Sequence, residues 1–173
     1  MKKGYLSIIT AVLVSFVIMA AVASVYSFSA YTQAELHEME AKKTADRLQD
    51  AIPFLSSSVV DAVVDAAAEA CCPAGNPNNP TDAINTKIKQ YLDESNRTLS
   101  EDGFSVFYSG LSSFSNLDCG SSFNVQYSVY VVSPSGKAKK DFTQQNINIQ
   151  FQQNVPQLKI LFPAQDITLS NCG

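Results

Sequence analysis

Residues 5–34 read YLSIITAVLVSFVIMAAVASVYSFSAYTQA and contain no charged side chain. A helix of this length would extend about 45 Å at 1.5 Å per residue, whereas a bilayer core needs only about 20 apolar residues. The rest of the chain is too short to bury such a helix on every face inside a soluble domain. We therefore expect one long apolar helix, held in a membrane or in an assembly that takes the place of the membrane.

The basic residues before this segment predict its orientation. Met1, Lys2 and Lys3 form a short positive start, which keeps the N-terminus cytoplasmic under the positive-inside rule. Everything after the helix is then expected outside the cytoplasm. The net charge is −4 and no basic stripe occurs, so nucleic acid is not an expected partner.

The first helix is expected to continue beyond the apolar segment. Residues 34–52 read AELHEMEAKKTADRLQDAI, which lacks Gly and Pro and consists mostly of good helix formers. Pro53 is expected to kink or end the helix. The sequence therefore predicts a long N-terminal helix over residues 5–52 and a head over residues 53–173.

Two shorter helices are predicted at the start of the head. Residues 54–70 carry apolar side chains at three-to-four spacing, and residues 73–80 read PAGNPNNP, which is typical of a loop. Thr81 is expected to cap a second helix that ends near Leu92. The predicted buried positions of that helix are Ile84, Ile88, Tyr91 and Leu92.

After Asn96 the apolar period changes from helical to two. Alternation is clearest over residues 123–131 and 142–151, and shorter apolar segments lie at 104–108, 158–162 and 167–169. A turn is predicted at residues 134–136, which read PSG. These patterns predict an antiparallel sheet with one buried and one wet face, covered by the two helices. The fold class is therefore α+β, and the order of the strands cannot be derived from the pattern.

Four cysteines lie in the predicted extracytoplasmic part: Cys71, Cys72, Cys119 and Cys172. An even number outside the cytoplasm favours disulfides. Neighbouring cysteines bridge each other only in a strained ring, so Cys71 and Cys72 are each expected to reach Cys119 or Cys172, in an order that the sequence leaves open. A four-cysteine zinc site and free thiols are the alternatives. The sequence contains no Cys-x-x-Cys pair, and no metal is predicted.

No set of residues predicts catalysis or a cofactor. His37, the single histidine, lies in the charged part of the first helix, where a solvated side chain is expected. Glu35, Glu38 and Glu40 are interpreted as a solvated face. The glycines form no phosphate-binding loop. The chain is therefore expected not to be an enzyme. Asn96 begins the sequon Asn-Arg-Thr after the second short helix and is a possible glycosylation site.

The N-terminus carries a family resemblance. Lys2-Lys3-Gly4 followed by Tyr5-Leu6-Ser7-Ile8-Ile9 resembles the prepilin, or class III, signal of type IV pilins and archaeal pilin-like proteins. The resemblance implies a leader of residues 1–4, cleaved between Gly4 and Tyr5 by a prepilin peptidase, with the apolar segment retained. It also implies a mostly β head and a homopolymeric filament on the cell surface. Before assembly, the helix would lie in the cytoplasmic membrane, and the pilus machinery would then add the subunit to the filament.

One residue departs from the family pattern, and two other functions stay open. Bacterial major pilins usually have a glutamate at the fifth mature position, where this chain has Ile9. The departure is typical of an archaeal-type filament subunit, a minor pilin or a relative that is never assembled. The first alternative is a membrane-anchored cell-surface binding protein that does not polymerise. The second is a secreted enzyme or ligand-binding domain, released by cleavage after Ala21-Val22-Ala23, which has the A-x-A pattern.

Overall fold

The computed structural model describes residues 3–72, 80–100, 103–136, 139–154, 156–170 and 172, without the side chains of residues 3–9 and 139–142. Among these residues two helices precede five strands, in the order α1 (Lys3–Cys71), α2 (Pro80–Leu99), β1 (Ser105–Ser109), β2 (Ser122–Val132), β3 (Lys139–Asn154), β4 (Gln157–Leu161) and β5 (Asp166–Ser170). The predicted α+β fold with a long N-terminal apolar helix is confirmed. The chain divides into two compact units, Met1–Glu40 and Ala41–Gly173.

The five strands form one antiparallel sheet in sequence order, β1-β2-β3-β4-β5. Each strand pairs with its neighbour in the chain, so the sheet is a simple meander. This strand order could not be derived from the sequence pattern. Alternation places Val125 and Ile149 inside and their neighbours Asn124 and Asn148 outside. The predicted turn at residues 134–136 is present, with the Gly136 N–H donating to the carbonyl of Ser133.

Helix α1 does not end at Pro53, which is a correction to the predicted limit at residue 52. The helix continues to Cys71, so residues 54–70 belong to α1 and do not form the separate helix that was expected. Leu55, Val59 and Val63 beyond the proline are fully buried. The burial of each of these side chains stabilises the fold by about 1.5–3 kcal/mol. The sum over the three exceeds the roughly 3 kcal/mol cost of a proline inside a helix.

Helix α2 begins one residue earlier and ends seven residues later than the sequence predicts. Pro80 is its first residue, a position where the missing N–H is not needed, so Thr81 is not the N-cap. Thr81 instead accepts a hydrogen bond from the N–H of Leu117 at 2.9 Å. Ile84, Ile88 and Leu92 are buried as predicted, whereas Tyr91 is only partly buried.

The core of the second unit combines one stripe of α1, one stripe of α2 and the inner face of the sheet. The hydroxyl oxygens of Tyr127 on β2 and Ser56 on α1 lie 3.2 Å apart, and burial raises the pKa of Tyr127. Lys87 on α2 lies 2.7 Å from Asp65 and 3.3 Å from Glu69, both on α1. The side-chain hydrogen bonds to these two carboxylates raise the pKa of Lys87. Apolar packing and a few polar contacts therefore fix the two helices to each other.

Candidate functional site: an exposed apolar helix

The candidate site is the apolar part of α1 in the first unit. Every residue from Thr10 to Ala30 is exposed, including large apolar side chains. Phe16 and Tyr26 are each 74% exposed and Val14 is 52% exposed. A soluble monomer rarely exposes so large a continuous apolar surface. This surface is therefore suited to contact with lipid or with another apolar surface.

Three hydroxyl groups between Ser24 and Thr32 are bonded within the helix. Ser24 donates to the carbonyl of Ala20 at 2.8 Å, and Ser27 donates to the carbonyl of Ala23 at 2.9 Å. Thr32 contacts the carbonyls of Phe28 and Ser29, both at 3.0 Å. Polar groups satisfied in this way need no water, so they are compatible with a hydrocarbon surrounding.

Small residues lie between the large ones on the same helix. Ala20, Ala23, Ser24 and Ser27 follow helical spacing and therefore lie along one side. Small side chains let a second helix approach closely, although any single-span helix also contains some of them. The helix is thus suited to lipid contact and also to contact with other helices.

The predicted leader cleavage site lies at the start of α1. Gly4 and Tyr5 are part of the helical backbone, which begins at Lys3. The side chain of Tyr5 and the residues Met1 and Lys2 lie outside what the structure describes. Cleavage between Gly4 and Tyr5 therefore stays a prediction from the sequence.

The four cysteines form two disulfides at the end of α1. Cys71 pairs with Cys119, across 48 residues, and Cys72 pairs with Cys172, across 100 residues. The expectation that adjacent cysteines have distant partners agrees with this pairing, which could not be read from the sequence. One bridge reaches the segment before β2 and the other reaches the C-terminal segment after β5. The connection between β1 and β2 and the segment after β5 are thereby both tied to the C-terminal end of α1.

The sequon at Asn96 lies in a different place from the one expected. Asn96 is part of the last turns of α2 rather than of a polar segment after the helix, because α2 extends to Leu99. Its side-chain oxygen Oδ1 is buried and has no hydrogen-bond partner among the described residues. Its backbone carbonyl accepts hydrogen bonds from the N–H and the hydroxyl of Ser100.

The candidate catalytic and metal-binding residues are not brought together. His37, Glu35 and Glu38 are exposed on α1, and Glu40 is partly buried. Within the described part of the chain, no three His, Cys, Asp or Glu side chains are placed to hold a metal ion.

One helix near the N-terminus is long and apolar enough to cross a membrane, as judged by its length and composition. No protein-family model matches this chain, and no curated protein or solved structure matches it either. The case for a function therefore rests on the residues and geometry of the chain itself.

Proposed function

We propose that this chain is a pilin-like structural subunit of an extracellular filament, assembled through its apolar N-terminal helix. The observation that carries the proposal is the exposed, uncharged surface of α1 from Thr10 to Ala30, on which the hydroxyls of Ser24 and Ser27 donate to carbonyls of the same helix. Such a helix is stable in lipid and equally stable among copies of itself. Transfer from the bilayer to a bundle exchanges one apolar surrounding for another.

The N-terminal signal supports the same proposal. Lys2-Lys3-Gly4 before an apolar segment resembles the site of a prepilin peptidase, which would leave Tyr5 as the first mature residue. The apolar helix would stay with the protein and become the core of the filament, with the disulfide-bonded head outside. The proposed partners are other copies of the chain, the peptidase and a pilus assembly machinery.

A second candidate function is a membrane-anchored cell-surface binding protein that does not polymerise. The observation that favours it is Ile9, because bacterial major pilins usually carry a glutamate at this position. A single-span anchor would need the same exposed apolar surface but no contact between helices.

The mature N-terminus and the state of the native protein test the proposal. We expect protein isolated from its own host to begin at Tyr5 and to form filaments visible by electron microscopy. Replacing Gly4 by Phe should block cleavage and leave the longer precursor in the membrane, whereas Gly4→Ala serves as the small-residue control. If the wild-type protein keeps Met1 and only membrane-bound single chains are found, the proposal fails in favour of the anchor.

A further inference from the structure

The outer face of the sheet in the second unit carries an unusual set of side chains. Seven exposed carboxamides lie on the outward side of β2 and β3: Asn124, Gln126, Gln144, Asn146, Asn148, Gln150 and Gln152. The strand register places Asn124 opposite Asn148 and Gln126 opposite Asn146. Opposite side chains on paired strands lie about 5 Å apart, so the amides form a continuous array.

Charge is nearly absent from this array. Residues 122–132 and 143–154 contain no acidic or basic side chain, and the charged residues of β3, Lys139, Lys140 and Asp141, are confined to its first three positions. The charged residues that β4 and β5 add to the same face are Lys159 and Asp166, which pair with each other at 2.8 Å. An exposed strand face that served only solubility would ordinarily include charged residues. The amide groups of the array also make no hydrogen bond to any other residue that the structure describes.

An aromatic pair lies on the same face at the β1 side. Phe107 of β1 is opposite Tyr130 of β2, their ring centroids are 5.1 Å apart, and Phe107 is 38% exposed. At the β4 side, a shallow depression is lined by Asn148, Gln150, Leu161, Phe162 and Pro163. The array is therefore bordered by an apolar surface at one side and a depression at the other.

The chemistry of this face restricts what it can bind. A polyanion or polycation would find no countercharge along residues 122–132 and 143–154, and an apolar partner would leave the amides desolvated without hydrogen bonds. A carboxamide donates and accepts at the same time, as a sugar hydroxyl does. We propose that the outer face of β2 and β3 binds a neutral polysaccharide, whose hydroxyls bond to the amides while one sugar ring packs on Phe107.

This inference concerns the head and does not require a filament. The test uses the full chain in liposomes, which display many copies whether or not the protein polymerises. Liposomes with and without protein are incubated with immobilised neutral glucan, mannan and galactan, and with heparin as the polyanion. We expect capture by at least one neutral polysaccharide, unchanged between low and high salt because no charge takes part.

A pair of matched variants locates the binding surface. Asn124→Asp together with Asn148→Asp keeps the side-chain shapes but places two like charges in register, and should weaken capture at least tenfold. Gln90→Glu, an exposed amide on α2, makes the same kind of change away from the face and should leave capture intact. Phe107→Ala should weaken capture severalfold. Circular dichroism confirms that each variant keeps its fold.

Four outcomes of the capture experiment overturn the proposal. These are no capture by any neutral polysaccharide, capture by heparin alone, full capture by the double variant, and equal loss with Gln90→Glu. Clustering of liposomes without polysaccharide that the double variant abolishes also overturns it, because the face would then bind a second copy of this chain.

Discussion

Ser95 of α2 donates a 2.6 Å hydrogen bond to Ser58 of α1, and both side chains are buried. Ser58 in turn donates to the carbonyl of Phe54 at 3.0 Å, so the two hydroxyls form a short directed chain. Removing the acceptor of a buried hydroxyl lowers the free energy of unfolding more than removing a donor to that hydroxyl. In the first case the hydroxyl proton is left without a partner. The two serines are therefore not equivalent.

Replacing these serines singly and together tests that asymmetry. Ser58→Ala leaves the Ser95 hydroxyl without its acceptor and should lower the free energy of unfolding by about 1–3 kcal/mol. Ser95→Ala leaves the bond from Ser58 to Phe54 in place and should cost about 1 kcal/mol or less. The double variant should be no worse than Ser58→Ala alone. Urea unfolding measures all three, with exposed Ser57→Ala, which loses a bond to the same carbonyl, as the control.

The two disulfides should stabilise different parts of the head. In the chain-entropy model, closing a loop of 48 residues contributes about 4 kcal/mol, and closing one of 100 residues contributes about 4.7 kcal/mol. Replacing both Cys72 and Cys172 by Ala should also release strand β5, which is an edge of the sheet. Faster amide hydrogen exchange over Asp166–Ser170 would reveal that release. Replacing Cys71 and Cys119 instead should leave exchange in β5 slower than in the first variant.

Peptide mapping without reduction checks the pairing itself. Cross-linked peptides should join Cys71 to Cys119 and Cys72 to Cys172. Recovery of the exchanged pairs, or of four free thiols, would contradict the bonding described here.

The turn beside Cys119 should respond to acid. The N–H of Gly120 and the hydroxyl of Ser121 both donate to the carboxylate of Asp118 and lower its pKa below 3.8. A pKa lowered by folding contributes stability above the unfolded value, and this stability is lost as the pH falls through the folded value. A carbon-13 NMR titration should therefore place Asp118 below 3.8. Ser121→Ala should move the pKa back up, whereas Ser113→Ala, at an exposed serine, should not.

The sequence predicted the strands well because the physical signal is local. Val125, Tyr127 and Val129 alternate with polar neighbours, and alternation directly reflects one wet and one buried face. The predicted end of α1 at residue 52 was wrong for a different reason. A local rule counts the lost hydrogen bond but cannot count the burial of Leu55 and Val59 in a core whose strands begin more than 40 residues later in the chain.

The candidate site divides in the same way. The apolar surface of α1 could be predicted because an uncharged segment of this length is recognised from its composition alone. The pairing of the cysteines depends on how the chain returns to α1, which no spacing reveals. The buried bond between Ser58 and Ser95 was missed because isolated serines carry no periodic signal.

Removing the proline from α1 should stabilise the head. Pro53 is exposed and supplies no N–H to the carbonyl of Gln49, one turn earlier. Pro53→Ala restores that hydrogen bond and creates no cavity, so the free energy of unfolding should rise by about 1–2 kcal/mol after the gain in unfolded-state entropy is subtracted. Pro134→Ala, in the turn before β3, is the control and should not stabilise. An unchanged urea midpoint for Pro53→Ala would mean that the helix already compensates for the missing bond.

A charge within the apolar segment should separate assembly from folding. Val14 is 52% exposed on α1, so Val14→Asp leaves the core of the second unit untouched. An aspartate at mid-helix costs about 3 kcal/mol in a bilayer and is equally unsatisfied between apolar helices. Val14→Leu keeps the surface apolar and is the matched control. We expect filaments with Val14→Leu and none with Val14→Asp, as counted by electron microscopy of cells that express each protein.

A chain that begins at Glu35 completes this test, because it removes the apolar segment and keeps every buried residue of the second unit. It should be a soluble monomer by analytical ultracentrifugation, with the disulfides and circular dichroism of the full protein. The exposed surface that requires lipid or other helices is then gone, so nothing should drive assembly. If this shortened chain forms the same filaments as the full protein, α1 is only an anchor and the contacts that build the filament lie in the head.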